Sequence, residues 1–125
     1  MEFTREADYA MRAVVHLSRL PMGSRVPTAT IAEVERIPRP FLSKVISHLV
    51  TARLVNTMRG RGGGVALARP PEDITLLQVT EAVDGPIVVN HSADAHDVWS
   101  DVRDSLVDSL GAVTMADLAR RELKE

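Results

Sequence analysis

The chain contains no cysteine. That single absence excludes disulfides, zinc–thiolate sites, nucleophilic thiols and all-cysteine iron–sulfur ligation together. Aromatic residues make up only 3% of the 125 residues, with one Trp and one Tyr. A core must therefore be built from Val, Leu, Ile, Ala and Met. No apolar run approaches the length of a membrane span. The opening MEFTREADYA lacks the charged-then-apolar layout of a secretory leader, so cytoplasmic residence is expected. One stretch also lacks acid: from Arg36 to Arg69 there are seven basic residues (Arg36, Arg39, Lys44, Arg53, Arg59, Arg61, Arg69) and no Asp or Glu.

What is present is ordinary in amount and uneven in placement. A hydrophobic fraction of 45% is enough for one domain, or one small domain with an appendage. The net charge of −2 conceals two opposed segments. Residues 1–70 hold eleven Lys/Arg against five Asp/Glu, a formal +6, and residues 71–125 hold four against twelve, a formal −8. A one-sign basic surface suits a polyanion, and double-stranded DNA is the first candidate because its phosphates attract Lys and Arg whatever the base sequence.

Periodicity predicts a first helix from Thr4 to Leu20 with Thr4 as N-cap. Thr28 is expected to cap a second helix through Val34, with Ile31 and Val34 inward, and Ile37-Pro38 to end it. The third helix is expected from Pro38 to Ala52. Its Leu42, Val45, Ile46 and Leu49 follow i, i+3, i+4, i+7 and form a buried stripe. Arg39, Pro40, Ser43, Lys44, Ser47 and His48 make the opposite face, small, polar and basic enough to enter a groove. Strands are expected over Leu54–Met58 and Val65–Ala68, joined by the glycine-rich turn after Arg59. Asp73 or Thr75 can cap a short helix to Val83, and Ile87–Val89 reads as a brief extended run. A long helix is expected over Asp97–Leu110 with Gly111 as its C-cap, then a terminal helix from Thr114 through Leu123.

Other chemistry has weaker support. Gly62-Gly63-Gly64 is not a phosphate-binding loop of a nucleotide enzyme, since no Gly-Lys-Ser/Thr follows and a strand comes next. No nucleophile–base spacing suggests catalysis, and no enzyme is expected. His91 and His96, with Asp94 and Asp97, offer nitrogen and oxygen ligands, but such residues are more often plain loop polars. His16 reads as structural. Val98, Trp99, Val102, Leu106 and Leu110 form an apolar stripe on the last long helix, opposite Asp97, Asp101, Asp104 and Asp108. A helix this long at the end of a small chain is expected to pair with a second copy through a crossing contact.

Three helices, a short connection between the second and third, and a hairpin make a winged helix-turn-helix, mainly α with a small β hairpin. The segments EADYAMRAVVHLS, TIAEVERIPRPFLSKVISHLVTARLV, MRGRGGGVALARPPEDITLLQVTEAVDG and HDVWSDVRDSLVDSL, in this order, cover most of the chain. They resemble the bacterial Rrf-two repressor family, that of the iron–sulfur regulator IscR, the nitric-oxide sensor NsrR and the cysteine-metabolism repressor CymR. The resemblance implies a homodimer with a long C-terminal dimerisation helix, set on a palindromic operator. It implies a DNA-binding unit at 1–85, a shortened sensor-type loop at 86–97 and dimerisation helices at 98–125. It places Pro40, Ser43 and Lys44 at groove-facing positions and Arg59 on the wing arginine; Arg61 stands beside it. Sensor members carry three cysteines where this chain has PIVVNHSADA. His96 and Asp8 match positions that some members use as non-cysteine cluster ligands, yet without thiolates no cofactor is expected. The expectation is a homodimeric DNA-binding repressor. The alternatives are a metal- or ligand-responsive regulator acting through His91 and His96, and a protein-interaction winged helix without DNA binding.

Overall fold

The computed structural model describes residues 4–88 and 96–121, the side chains of His96 and Asp97 excepted. The helices are α1 (Arg5–Ser18), α2 (Thr28–Glu35), α3 (Arg39–Thr51), α4 (Leu76–Asp84), α5 (His96–Gly111) and α6 (Met115–Ala119), with strands β1 (Val55–Met58) and β2 (Gly64–Leu67) between α3 and α4. Among the described residues no helix is long and apolar enough to cross a membrane.

Helix α1 starts where its cap puts it: the Thr4 hydroxyl accepts the Ala7 N–H at 3.1 Å. It stops at Ser18, short of the expected Leu20, because the residue before Pro21 is disfavoured in helical geometry. Its inner face, from Ala7 to Leu17, lies at the centre of the core. His16 is structural: its Nδ1 lies 3.0 Å from a Glu35 carboxylate oxygen. Arg12 donates to the Glu35 carbonyl and to Asp8, so α1 holds the end of α2.

Helix α2 corrects two expectations. Thr28 is its first helical residue, and Pro27 occupies the N-cap without a side-chain bond. Val34 is 59% exposed, while Ala32 joins Ile31 in the core; the inner face of this short helix is centred on those two. A Schellman motif closes it, with Ile37 N–H on the Ala32 carbonyl (2.9 Å) and Arg36 N–H on that of Glu33 (3.4 Å). Arg36 therefore sits left-handed at φ 55°.

Helix α3 buries Leu42, Val45, Ile46 and Leu49, as its spacing predicts, packed against α1, α2 and α4. Pro38 is its N-cap and Pro40 lies in its first turn, where the N–H groups have no helical partner to lose. A second Schellman motif ends it: Leu54 N–H bonds the Leu49 carbonyl (3.0 Å) and Arg53 N–H that of Val50 (2.9 Å). Arg53 is the left-handed residue, at φ 61°.

The strands pair antiparallel with Val55 opposite Leu67 and Met58 opposite Gly64; β1 starts one residue later than expected and ends where expected, and β2 is displaced one residue toward the N-terminus. Val26, just before α2, adds a third rung: its N–H bonds the Val65 carbonyl at 2.9 Å and its carbonyl takes the Val65 N–H at 2.8 Å. A Cβ on Gly64 would lie 2.5 Å from the Val26 carbonyl oxygen, and the residue has φ +131°. Only glycine lets the hairpin close on the helical body.

Asp73 lies in a 3-10 turn (Pro71–Asp73), and Thr75 is the cap of α4, in a capping box with Gln78. Thr114 and Asp117 form a second box on α6. The two boxes sit side by side, joined by Leu76 N–H to the Val113 carbonyl and Met115 N–H to that of Ile74, both 2.8 Å. Hydrogen bonds from the Thr114 backbone and hydroxyl, then the Arg120 charge, hold the Asp117 carboxyl below the usual carboxylate range. Gly111, expected as a cap, is the last residue of α5. Helix α6 ends at Ala119 rather than Leu123, which lies outside the described residues; Arg19 of α1 takes the Ala119 carbonyl at 3.2 Å and that of Arg121 at 3.3 Å. Ile87 is buried without a strand partner, and Val89 lies outside the described residues. Met115 belongs to the same core as α1 and α3. The C-terminal segment from 98 is thus not a unit apart, for α6 completes the N-terminal body.

Two substitutions separate backbone strain from packing. Arg53→Gly should raise stability by about 1 kcal/mol, because glycine occupies the left-handed region without the penalty a side chain carries there. Gly64→Ala should lower it by about 1–3 kcal/mol. Thermal or urea denaturation of both variants checks the opposite signs.

Candidate nucleic-acid interface

With one side of α3 locked into the core, the other is left outside. Arg39, Pro40, Ser43, Lys44, Ser47 and His48 are all exposed, as are Arg59 and Arg61 at the hairpin tip. The tip is a tight turn, with Gly63 N–H on the Gly60 carbonyl at 3.0 Å and Gly62 at φ +76°. Glycine at that position meets the type II requirement and leaves Arg61 at the corner.

Helix and hairpin flank one cleft of about 510 Å³. Ser43 and Ser47 enter it from α3 and Arg59 from the hairpin. Arg39, Pro40, Lys44, His48 and Arg61 stand outside it on the exposed surface. Thr28, Val50, Thr57 and Met58 also line the cleft and were not foreseen. Thr57 and Met58 could have been suspected from their position beside Arg59. Thr28 could not, because the Val26–Val65 rung that brings it there joins segments far apart in sequence.

The electrostatics favour an anion. Among the described residues, no basic side chain between Arg36 and Arg69 takes part in a salt bridge. Glu35, which immediately precedes this stretch in sequence, is turned toward His16. Arg69 is a correction to the basic surface. It is half-buried against α4, beside Gln78 and Glu81, and its Nε has no hydrogen-bond partner.

Helix α5 runs back along α4. Arg103 Nε donates to the Ile87 carbonyl (2.9 Å) beyond the end of α4, while Leu110 shares a groove with Leu76 at its start. At 1.5 Å per residue, α5 outruns α4 by about 10 Å. Its first two turns therefore extend beyond the length of α4. Val98, Trp99 and Val102 lie in those turns, exposed by 64%, 41% and 47%. Leu106 is half-buried, and Leu110 is buried within its own protomer. The expected dimerisation stripe thus divides between an outward and an inward part. His91 and Asp94, and the side chains of His96 and Asp97, lie outside the described residues.

The family model described as "Iron-dependent Transcriptional regulator", Rrf2, matches residues 3–121. A Mycobacterium tuberculosis protein named as an HTH-type transcriptional regulator is 34% identical over 100% of this chain and 85% of its own length. The solved structure of CymR from B. subtilis, named as a global cysteine regulator, has a TM-score of 0.82 at 22% identity and covers 95% of this chain and 96% of its own. That of T. potens IscR has a TM-score of 0.80 at 27% identity, covering 99% and 94%. The winged-helix fold is shared with both.

The iron of the family description finds no matching donor set here. Thiolates are absent from the chain, and among the described residues no three His, Asp or Glu side chains converge as metal ligands. Asp8 is engaged by Arg12 at 3.1 Å. An iron–sulfur cluster does not fit these residues. An exposed basic helix beside a basic hairpin is in keeping with the matches, which run from end to end of the chain and place this protein in the Rrf2 family of DNA-binding transcriptional regulators.

Proposed function

We propose that two copies pair through α5 and set two α3 helices and two wings on one palindromic operator, where bound protein excludes polymerase. The observation that carries this is the shared cleft: the exposed face of α3 and the wing arginine open on the same side of the body. A helix in the major groove with a wing beside it uses that arrangement directly.

In this reading residues 1–85 grip DNA, residues 86–97 are a short connection and α5 pairs the subunits; α6 supports the grip. Lys44 and Arg39 displace condensed counterions from phosphate or donate to guanine O6 and N7. Pro40, Ser43 and Ser47 are small enough to let the helix approach closely, and His48 extends the polar face. Arg59, with Arg61 beside it, enters the minor groove, where narrow A·T-rich segments concentrate negative potential. Pairing through α5 spaces the half-sites about one helical turn, roughly 34 Å, apart. The regulator works in the cytoplasm without an iron–sulfur cluster, and any signal reaches it by another chemistry.

Selection of bound sequences from random duplex DNA should enrich a palindrome. Enrichment of none sinks sequence-specific regulation. For a phosphate contact, Lys44→Ala or Arg59→Ala should weaken binding to all sequences and flatten the plot of log affinity against log salt by about 0.9. For a base contact, the loss should be about 1–3 kcal/mol, confined to one position of the site. Val102→Asp should shift sedimentation toward monomer and weaken operator binding while leaving the thermal transition of the body little changed.

A further inference from the structure

The second apolar feature of the surface is a groove of about 220 Å³ formed by α1, the start of α4 and the end of α5. Ala7, Met11, Leu76 and Leu110 line it together with buried Thr80, and Asp8 is among the lining residues. Among the described residues nothing fills it. The same helix that contributes Leu110 carries, in its first two turns, the chain's one tryptophan, exposed by 41%.

Those two facts are geometrically related. Trp99 and Leu110 are eleven residues apart, which is close to three full turns, so they share one face of α5. A two-fold axis crossing α5 midway between them, near Asp104, pairs two α5 helices antiparallel. It then carries each Trp99 to the level of the other subunit's Leu110. Packed helices lie about 8–10 Å apart, within reach of an indole side chain. A cavity of roughly 150 Å³ takes a benzene ring, and a groove of about 220 Å³ has room for an indole. Asp8, among the lining residues, supplies a carboxylate acceptor for the indole N–H, which ordinarily finds a partner when buried.

We propose that the groove between α1 and α5 is the seat of Trp99 of the partner subunit, exchanged reciprocally across the two-fold axis. This rests on the dimeric reading above and deepens it by naming the contact. Tryptophan is among the residues enriched as buried interface anchors. The contact also has a regulatory consequence. The groove wall is α1, which holds α2 through Arg12 and His16. Seating the ring thereby sets the angle between the dimer axis and the DNA-reading helices.

The test uses the absence of cysteine and the single tryptophan. A protomer carrying Trp99→Phe and Arg5→Cys, labelled with a nitroxide at the exposed position beside the groove, has no tryptophan of its own. It is mixed in excess with the unlabelled wild-type chain, so any loss of fluorescence comes from a neighbouring subunit. At concentrations where sedimentation shows dimers, the wild-type emission should lose most of its intensity, and without label it should lie at the blue end of the tryptophan range. The same label at His48→Cys on α3 should leave the emission unchanged. Dimers whose Trp99 emission is red, or is not quenched from position 5, overturn the groove proposal and leave dimerisation standing. A chain that stays monomeric at every concentration overturns both.

Discussion

The direction in which the exposed face of α3 points depends on how that helix is held. Four side chains, Leu42, Val45, Ile46 and Leu49, are at most 6% exposed and face α1, α2 and α4. Burying four such groups is worth several kcal/mol, about 1.5–3 for each large side chain. Rotation of the helix about its axis would expose them. The orientation of Ser43, Lys44 and Ser47 is thus a consequence of the core. The polar latch from α1, Arg12 on the Glu35 carbonyl and His16 on its carboxylate, holds the preceding helix against the same surface.

The wing obeys a different constraint, one of backbone approach. β2 must come close enough to Val26 for two hydrogen bonds of 2.9 and 2.8 Å, and at that distance a side chain on Gly64 has no room. The rung fixes the hairpin to the segment that starts α2. Arg59 is thereby carried to the rim of the cleft whose other wall is α3. Arginine occupies the left-handed positions at both ends of this unit, Arg36 before α3 and Arg53 after it. Glycine would fit there with less strain, so the chain keeps charge next to α3 at some expense in stability.

Local signals carried most of the fold. The i, i+3, i+4, i+7 spacing of α3 and the Thr4 and Thr75 caps each act within a turn of helix, and the structure keeps them. What could not be read depends on long-range contacts. Val34 is apolar and well spaced, yet exposed, because the inner face of α2 is set by what α1 and α3 leave uncovered. Arg69 belongs to the basic run by sequence and to the α4 side by structure. Leu110 sits on the stripe with Trp99, but the Thr75–Thr114 bridge pulls the end of α5 into the body. The same bridge places α6 in the N-terminal core, a packing that no periodicity within residues 114–123 would reveal. The basic, groove-facing surface was legible because charge and small size recur along one helix face; the cleft was not, since it exists only where α2, α3 and β1 meet.

That bridge also explains why α5 can be both anchored and available. Its C-terminal end is held by Leu110 and by the chain running on to Met115, which is fully buried. Near its middle Arg103 is fixed to the Ile87 carbonyl. Helix α4, with nine residues against sixteen, is too short to follow α5 over its whole length. The two ends of α5 thus differ in kind: the C-terminal end belongs to the body, and the N-terminal turns carry the exposed Val98, Trp99 and Val102. A chain without cysteines keeps this arrangement, because it is built from packing and backbone hydrogen bonds and draws on no thiolate.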